Sequence, residues 1–295
     1  MQHLRGELLE NAKLAEYCSW QVGGKADHLY KPADINDLIT FIKQLSEQEP
    51  LFFLGLGSNT LIRDGGIKGT VVITQGALNK LKTTDALTLY AEAGVASPAF
   101  ARFAARKNLM GAEFLAGIPG TIGGALVMNA GCDGCETWNI VKSVLTVNRQ
   151  GEKKIRYPSE YKIAYRSVSV FPNEYYLAAE FQLKSGNKET ALTKIRTLLK
   201  YRADTQPTNE PNCGSVFRNP SGDHAARLIE ACGLKGLTIG NAAVSNKHAN
   251  FIINNGKASA ADIEALIQKI AECVFHKFHI RLIPEVRIIG EALSL

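Results

Sequence analysis

The sequence predicts a mixed α/β protein of the α+β class with more than one domain, and three observations carry that reading. Strand-like apolar runs and helix-spaced apolar residues alternate along the chain. Its 295 residues exceed the usual size of one hydrophobic core, and a 45% apolar fraction can fill two or three. A Pro- and Asn-rich break, "ADTQPTNEPN" at 203–212, interrupts the pattern and marks a domain boundary.

The elements follow in order. "DINDLITFIKQL" puts Ile35, Leu38, Ile39, Ile42 and Leu45 on one helical face, with Asp34 as N-cap. "LFFLGLGSN" reads as a buried strand entering a glycine loop, and "VVIT" and "LTLYAEAGV" as further strands. Ser97 and Pro98 supply the start signals of a helix through "AFARFAARKNL". "VKSVLTVN", "KKIRYP" and "YYLAAEFQLK" are short strands, and Leu192, Ile195, Leu198 and Leu199 line a helix over 187–202. Beyond the break come a short helix at "DHAARLIEACG", a strand at "ANFIINN", a helix opened by Ser259 with Asp262 three residues on, and a last strand in "RLIPEVRIIG". The sequence carries neither an internal repeat nor a low-complexity segment.

Charge and cysteine usage exclude several classes. The formal charge of +6 is spread along the chain without a basic run, which favours small anionic ligands over nucleic acid. Six scattered cysteines do not make a disulfide framework in a chain this long. "MQHLRGELLENAKL" lacks an apolar core of signal length, and no run approaches the ~20 apolar residues of a membrane span. These features point to a soluble cytoplasmic protein with no membrane or nucleic-acid partner.

"LAGIPGTIGGALVMNAGCDGCE" at 115–136 concentrates Gly117, Gly120, Gly123, Gly124, Gly131 and Gly134. Glycine lets a ligand approach backbone amides without an intervening Cβ, and successive amides in such turns form an anion nest. A second loop, "GLGSN" at 55–59, also follows an apolar run, so both fit approach to one diphosphate, with Ser58, Asn59, Thr121 and Asn129 as polar partners. Neither loop is G-x-G-x-x-G or a Walker sequence, and each alone reads first as a tight turn between strands; it is the two together that favour a ligand.

The ordered blocks "QVGGKADHLYKP", "LGLGSNTLIRDGGIKGTVV", "GAEFLAGIPGTIGGALVMNAG", "YR" at 165–166, "YRADTQP", "GSVFRNP", "KHANFIINNG" and "IPEVRIIG" resemble the UDP-N-acetylenolpyruvoylglucosamine reductases, the UDP-N-acetylmuramate dehydrogenases, along nearly the whole chain. The length resembles the shorter, second type of that family. The resemblance implies a vanillyl-alcohol-oxidase-type FAD-binding fold of two subdomains, 1–75 and 76–202, with a C-terminal substrate-binding domain, 203–295, whose last strand returns toward the first subdomain. It implies non-covalent FAD held by Gly55, Gly57, Ser58, Asn59, Gly117, Ile118, Pro119, Gly120, Thr121, Gly124, Ala125 and Asn129. It further implies NADPH as hydride donor, a UDP-sugar enolpyruvyl ether as substrate, a role in peptidoglycan precursor synthesis, and a monomer.

Reduction of an enolpyruvyl ether needs stabilisation of charge growing on the carboxylate and a proton delivered to C2. By resemblance these tasks fall to Arg166, Ser215 and Glu285, with substrate contacts from Tyr165, Arg202, Arg218, Asn219 and His248. Arginine offers a fixed fork of donors, a serine acid needs its alkoxide stabilised, and a glutamate after proline on an apolar strand is desolvated enough for a raised pKa, or else pairs with Arg287. Each has a bland counterpart as a surface strand, turn or paired residue. Cys132 and Cys135 form C-x-x-C without a second Cys or His pair, so two free thiols near the flavin are expected in place of a metal site. Trp20 and Gln21 depart from the family pattern. A flavin oxidase of the same cofactor fold is the alternative activity, disfavoured by the complete set from "GSVFRNP" to "IPEVR".

Overall fold

The computed structural model describes residues 3–293. The chain divides into two units, neither contiguous in sequence. The first holds the chain through Glu10, His28–Leu56 and Gly69–Lys200; the second holds Asn11–Asp27, Gly57–Lys68 and the chain from Tyr201. Three strands, Glu7–Lys13, Lys25–Lys31 and Ile67–Ile73, carry the chain across these boundaries. The expected domains are consecutive, and their last boundary falls close to that at Lys200/Tyr201.

The first unit is organised around an antiparallel five-stranded sheet in the order Lys153–Arg156, Val141–Asn148, Glu174–Gln182, Thr88–Glu92, Leu81–Asp85. Its register sets Val144 against Ala179 and Ala179 against Ala91, and these small residues let the helix Ser97–Arg106 pack close, with Phe100 on Phe181 at 4.6 Å. A four-stranded sheet carries the parallel pair Leu51–Leu54 and Ile67–Ile73. The helix Ile35–Gln44 buries Leu38, Phe41 and Ile42, and Asp34 accepts the Asp37 N–H at 2.9 Å as the expected N-cap.

The second unit packs the helices Ala225–Ala231 and Ala260–Phe278 with a three-stranded antiparallel sheet of Thr238–Ile239, Ala242–Val244 and Ile252–Asn254. Ser259 and Asp262 form the expected capping box, at 3.0 Å in both directions, and Asp64 also accepts the Ala260 and Ala261 N–H groups at 2.9 Å. Trp20 is fully buried; its indole N–H donates to the Ile252 carbonyl at 2.7 Å and its own carbonyl accepts from Asn254. The strand Arg287–Ile289 pairs in parallel with Thr60–Ile62.

Three differences from the sequence reading have physical causes. The strands Glu7–Lys13 and Lys25–Lys31 escaped it because the first is almost wholly solvent-facing and charge-rich. The helix expected to end at Arg202 runs to Thr205, just ahead of Pro207. Ser97 is not the N-cap of its helix: that position is Ala96, and the Ser97 N–H donates to the Gly120 carbonyl at 2.9 Å, tying the helix start to the glycine loop.

Candidate active site

Within the first unit the two glycine loops meet: a Cβ on Gly55 would collide with Thr121 Oγ1. Thr121 caps the short helix Ile122–Met128, whose first turn is bound to neighbouring backbone by Ile122 N–H to Val95 and Gly123 N–H to Ala93, both 2.8 Å. The protein's own packing accounts for several glycines. A Cβ on Gly117 would lie 3.0 Å from Cys132 Sγ and Leu198, one on Gly123 would lie 3.0 Å from Ala93, and one on Gly131 would strike the Cys135 carbonyl. Gly124 differs. It is exposed, and a Cβ there would meet only Thr121 Oγ1 at 3.9 Å, so nothing in the protein requires a bare backbone at this helical position. Pro119 and Gly124 are exposed and Gly120 half-exposed, whereas Ile118, Thr121, Ala125 and Asn129 are buried beneath them.

Asn129 is a joint. In the left-handed conformation at the end of that helix, it donates to Glu136 Oε2 at 2.8 Å and to the Ala164 carbonyl at 3.1 Å, and accepts the Trp138 N–H at 3.1 Å. It thereby holds together two hairpins, Gly131–Glu136 and Ile163–Val168. Tyr165 and Arg166 form the turn of the second, and Arg166 has φ +53°, an uncommon conformation for a non-glycine residue that clusters at functional sites. Its guanidinium donates to the Gly131 carbonyl at 2.7 Å and lies 5.1 Å from the exposed Tyr165 ring.

The second unit assembles the other predicted residues. Glu285 N–H donates to the Val216 carbonyl at 2.7 Å, Phe217 bridges Pro284, and Arg218 N–H donates to Ile283 at 3.0 Å, so "GSVFR" and "IPEVR" run side by side and set half-buried Ser215 and Glu285 on neighbouring segments. Asn59 joins the same place: its side chain donates to the Glu285 carbonyl at 3.1 Å and its carbonyl accepts the Arg287 N–H at 3.0 Å. Gly57 packs on the Tyr17 carbonyl and Cys18, and half-buried Ser58 lies between Gly57 and Asn59. Arg166 belongs to the first unit, and these residues to the second.

The remaining predicted residues differ in how far the protein already uses them. Asn219 is exposed and its side chain accepts the Ala225 N–H at 3.1 Å, capping a helix start. Arg202 Nε donates to Gln206 at 2.9 Å. The His248 ring packs edge-on against Phe251 at 4.7 Å; burial, then the positive charge of Lys235, holds its pKa below the ordinary histidine value, and its Nδ1 accepts the Asn250 N–H at 3.3 Å. Arg218 Nε is buried with no hydrogen-bond partner among the described residues. Arg287, although exposed as a residue, has its pKa lowered by loss of hydration around the guanidinium and then by the like charge of Arg218. A buried guanidinium Nε without an acceptor, near a second arginine that feels its like charge, suits an anion.

Comparison with known proteins identifies the family. Residues 206–289 match the C-terminal domain of UDP-N-acetylenolpyruvoylglucosamine reductase, and residues 26–154 match the FAD binding domain family. The reductase of Legionella pneumophila (strain Corby) is 58% identical over 289 residues, covering 98% of this chain and 94% of its own. The chain belongs to the UDP-N-acetylenolpyruvoylglucosamine reductase family. The Methylococcus capsulatus reductase is 54% identical over 98% of this chain and 95% of its own. The crystal structure of the Thermus caldophilus reductase superimposes with a TM-score of 0.82 at 31% identity, covering 97% of this chain and 99% of that one.

Membership of the reductase family brings FAD as cofactor on a mixed α+β fold, and the residues present fit it. Gly124 offers the cradle that a Cβ would fill, on an exposed face shared with Pro119 and Gly120. Two polar residues packed beside the predicted ones escaped the sequence reading. Asn250, 3% exposed, clamps the segment after Ser215 by accepting the Phe217 N–H at 3.0 Å and donating to the Phe217 carbonyl at 2.8 Å, while its own carbonyl accepts from Val216 at 2.9 Å. Arg287 was weighed only as a partner for Glu285. Both lie inside blocks already quoted, "KHANFIINNG" and "IPEVRIIG", where an apolar setting around a polar residue was the available signal.

Proposed function

We propose that this chain reduces the enolpyruvyl ether of UDP-N-acetylglucosamine to UDP-N-acetylmuramate, a step of peptidoglycan precursor synthesis, with NADPH as the hydride source. FAD, when bound, relays hydride from the nicotinamide to C3 of the enolpyruvyl group. Pro119, Gly120 and Gly124 line its place at the second glycine loop, with Gly55 beside Thr121 in the first. Arg166 presents its guanidinium to the substrate carboxylate and stabilises the charge that grows there as C3 is reduced. Ser215 Oγ gives its proton to C2, and Glu285 on the adjacent segment completes the proton path. Arg218 and Arg287 take the diphosphate, and Tyr165, Asn219, His248 and Arg202 shape the rest of the substrate's surroundings. The enzyme acts as a monomer in the cytoplasm, in service of cell wall growth, cell shape and division.

The observation that supports this reading is the pairing of "GSVFR" with "IPEVR", which puts Ser215 and Glu285 on neighbouring segments of a chain 58% identical to a named reductase. The test separates the half-reactions by anaerobic stopped-flow absorbance at the flavin band. Ser215→Ala should leave reduction by NADPH intact and slow reoxidation by the enolpyruvyl substrate ~10²–10⁴-fold, the usual loss for a positioned proton donor. Ser215→Cys should retain more activity. Wild-type reoxidation in the alanine variant, or failure at the NADPH step, removes Ser215 as the acid.

A further inference from the structure

We propose that Cys132 and Cys135 are a redox modification site: they close into a reversible cross-strand disulfide that displaces the anchor of Arg166. The two residues are direct partners in the Gly131–Glu136 hairpin, and its turn residues Asp133 and Gly134 have φ +54° and +73°, as a two-residue type I′ turn requires. Residues that flank a two-residue turn are a hydrogen-bonded pair with Cα atoms about 5.5 Å apart, inside the 4.4–6.8 Å span of disulfides. Their Cβ atoms stand at about 5.5 Å, against about 3.5–4.5 Å in a disulfide, so closure draws the two side chains together by about 1–2 Å.

The surroundings favour reaction here over the other cysteines. Asp133 and Gly134 are exposed, nothing lies within 4 Å of a Cβ on Gly134, and both thiols are half-buried, so a small oxidant can reach them and the turn can move. Cys18 and Cys213 share the Thr60 carbonyl as acceptor but are only 5% and 2% exposed. Cys232 donates to the Cys273 carbonyl across two helices without a strand register to align the sulfurs.

The hairpin is also the platform of Arg166. Its Gly131 carbonyl accepts Arg166 Nη2 at 2.7 Å, a Cβ on Gly131 would stand 3.0 Å from Arg166 Nη1, and Glu136, next to Cys135, holds the Asn129 amide that reaches Ala164. Cys132 Sγ rests against Gly117 of the glycine loop. Drawing Cys132 toward Cys135 therefore pulls on the residue that fixes the guanidinium.

A peroxide supplies the oxidising equivalents. One sulfur attacks a peroxide oxygen, the O–O bond breaks, and the products are a sulfenic acid and water; the second thiol attacks that sulfur, the S–O bond breaks, and a second water leaves. Two thiols and one hydrogen peroxide thus give one disulfide and two waters, and a dithiol reductant reverses the change. The kinetic consequence rests on the proposed role of Arg166; the disulfide itself does not.

The full-length holoenzyme, treated with hydrogen peroxide, alkylated and digested, should yield one peptide holding both Cys132 and Cys135 unalkylated and two hydrogens lighter, restored by dithiothreitol. The oxidised enzyme should show kcat/KM for the enolpyruvyl substrate lowered about 10-fold or more, in keeping with ångström-scale misplacement of a positioned group, and unchanged flavin reduction by NADPH. In Cys135→Ser, kcat/KM should not respond to peroxide. A disulfide elsewhere, over-oxidation without a disulfide, or no reaction at these thiols overturns the site. A disulfide with unchanged kcat/KM overturns its link to Arg166, and an Arg166→Ala variant with normal kcat/KM places the fault in the functional reading instead.

Discussion

The Arg166 region of the first unit and the Ser215 region of the second are built in opposite ways. Arg166 rides on two tight hairpins and a short helix joined by one asparagine, all within residues 122–168. Ser215 and Glu285 stand on neighbouring segments only because stretches distant in sequence share backbone hydrogen bonds, with Asn59 and Asn250 tying the junction. A locally built site can be tuned by one turn; a site built from distant segments stands or falls with the unit that holds it.

After Ser215→Ala, the largest expected effect tests the local side. Arg166→Ala should lower kcat/KM for the enolpyruvyl substrate by ~10²–10³-fold, the range seen when one donor to developing charge is removed, with melting temperature nearly unchanged because the hairpin turn remains. Loss of fold in that variant would show that Arg166 anchors the region instead of riding on it. On the other side, Asn250→Ala leaves the buried Phe217 N–H and carbonyl without partners and should cost about 2–3 kcal/mol in chemical denaturation. A neutral result there would mean the junction does not depend on its clamp.

A finer contrast lies within the glycine loop. Gly117→Val meets Cys132 and Leu198 and should destabilise the fold by about 1–3 kcal/mol through overpacking. Gly124→Val meets open space and should instead weaken FAD binding, on the order of tenfold, at little stability cost. Flavin content after gel filtration and the melting temperature separate the two, and equal behaviour would erase the distinction.

The smallest effect is one of pH. His248 in the second unit has a lowered pKa, so the unfolded state binds more protons just below the ordinary value of 6.5, and the unit loses stability as pH falls through that window. In the first unit the hydrogen bond from Arg156 holds Glu174 below 4.5, so that pair's contribution is present above 4.5 and lost only as pH falls further. Trp20 lies in the second unit and Trp138 in the first, so Trp138→Phe and Trp20→Phe give fluorescence reports of each. Between pH 6.5 and 5 the Trp20 signal should soften first; coincident softening would rule out the separation.

Legibility in the sequence follows the same divide. Helix starts whose caps lie within three residues, Asp34 and Ser259 with Asp262, are readable because cap and helix share one short window. Asp64 capping the helix at Ala260 is not, since no local pattern links a loop aspartate to a helix start 196 residues away. The glycine loops could be found but not divided: bare backbone forced by packing at Gly117 and Gly123 looks the same in sequence as bare backbone left open at Gly124. Asn250 and Arg287 act through partners that only folding brings near.

The pairing of Arg287–Ile289 with Thr60–Ile62 also sets a timetable. During synthesis Thr60 emerges well before its strand partner Arg287, and at about 5–20 residues per second the delay is on the order of 10–45 s. By the later part of that interval the Arg166 hairpins and the second glycine loop are synthesised, whereas the loop carrying Gly57 and Asn59 still lacks the segment to which Asn59 is bonded. A growing chain therefore holds one glycine loop made while the other still waits for its partner strand.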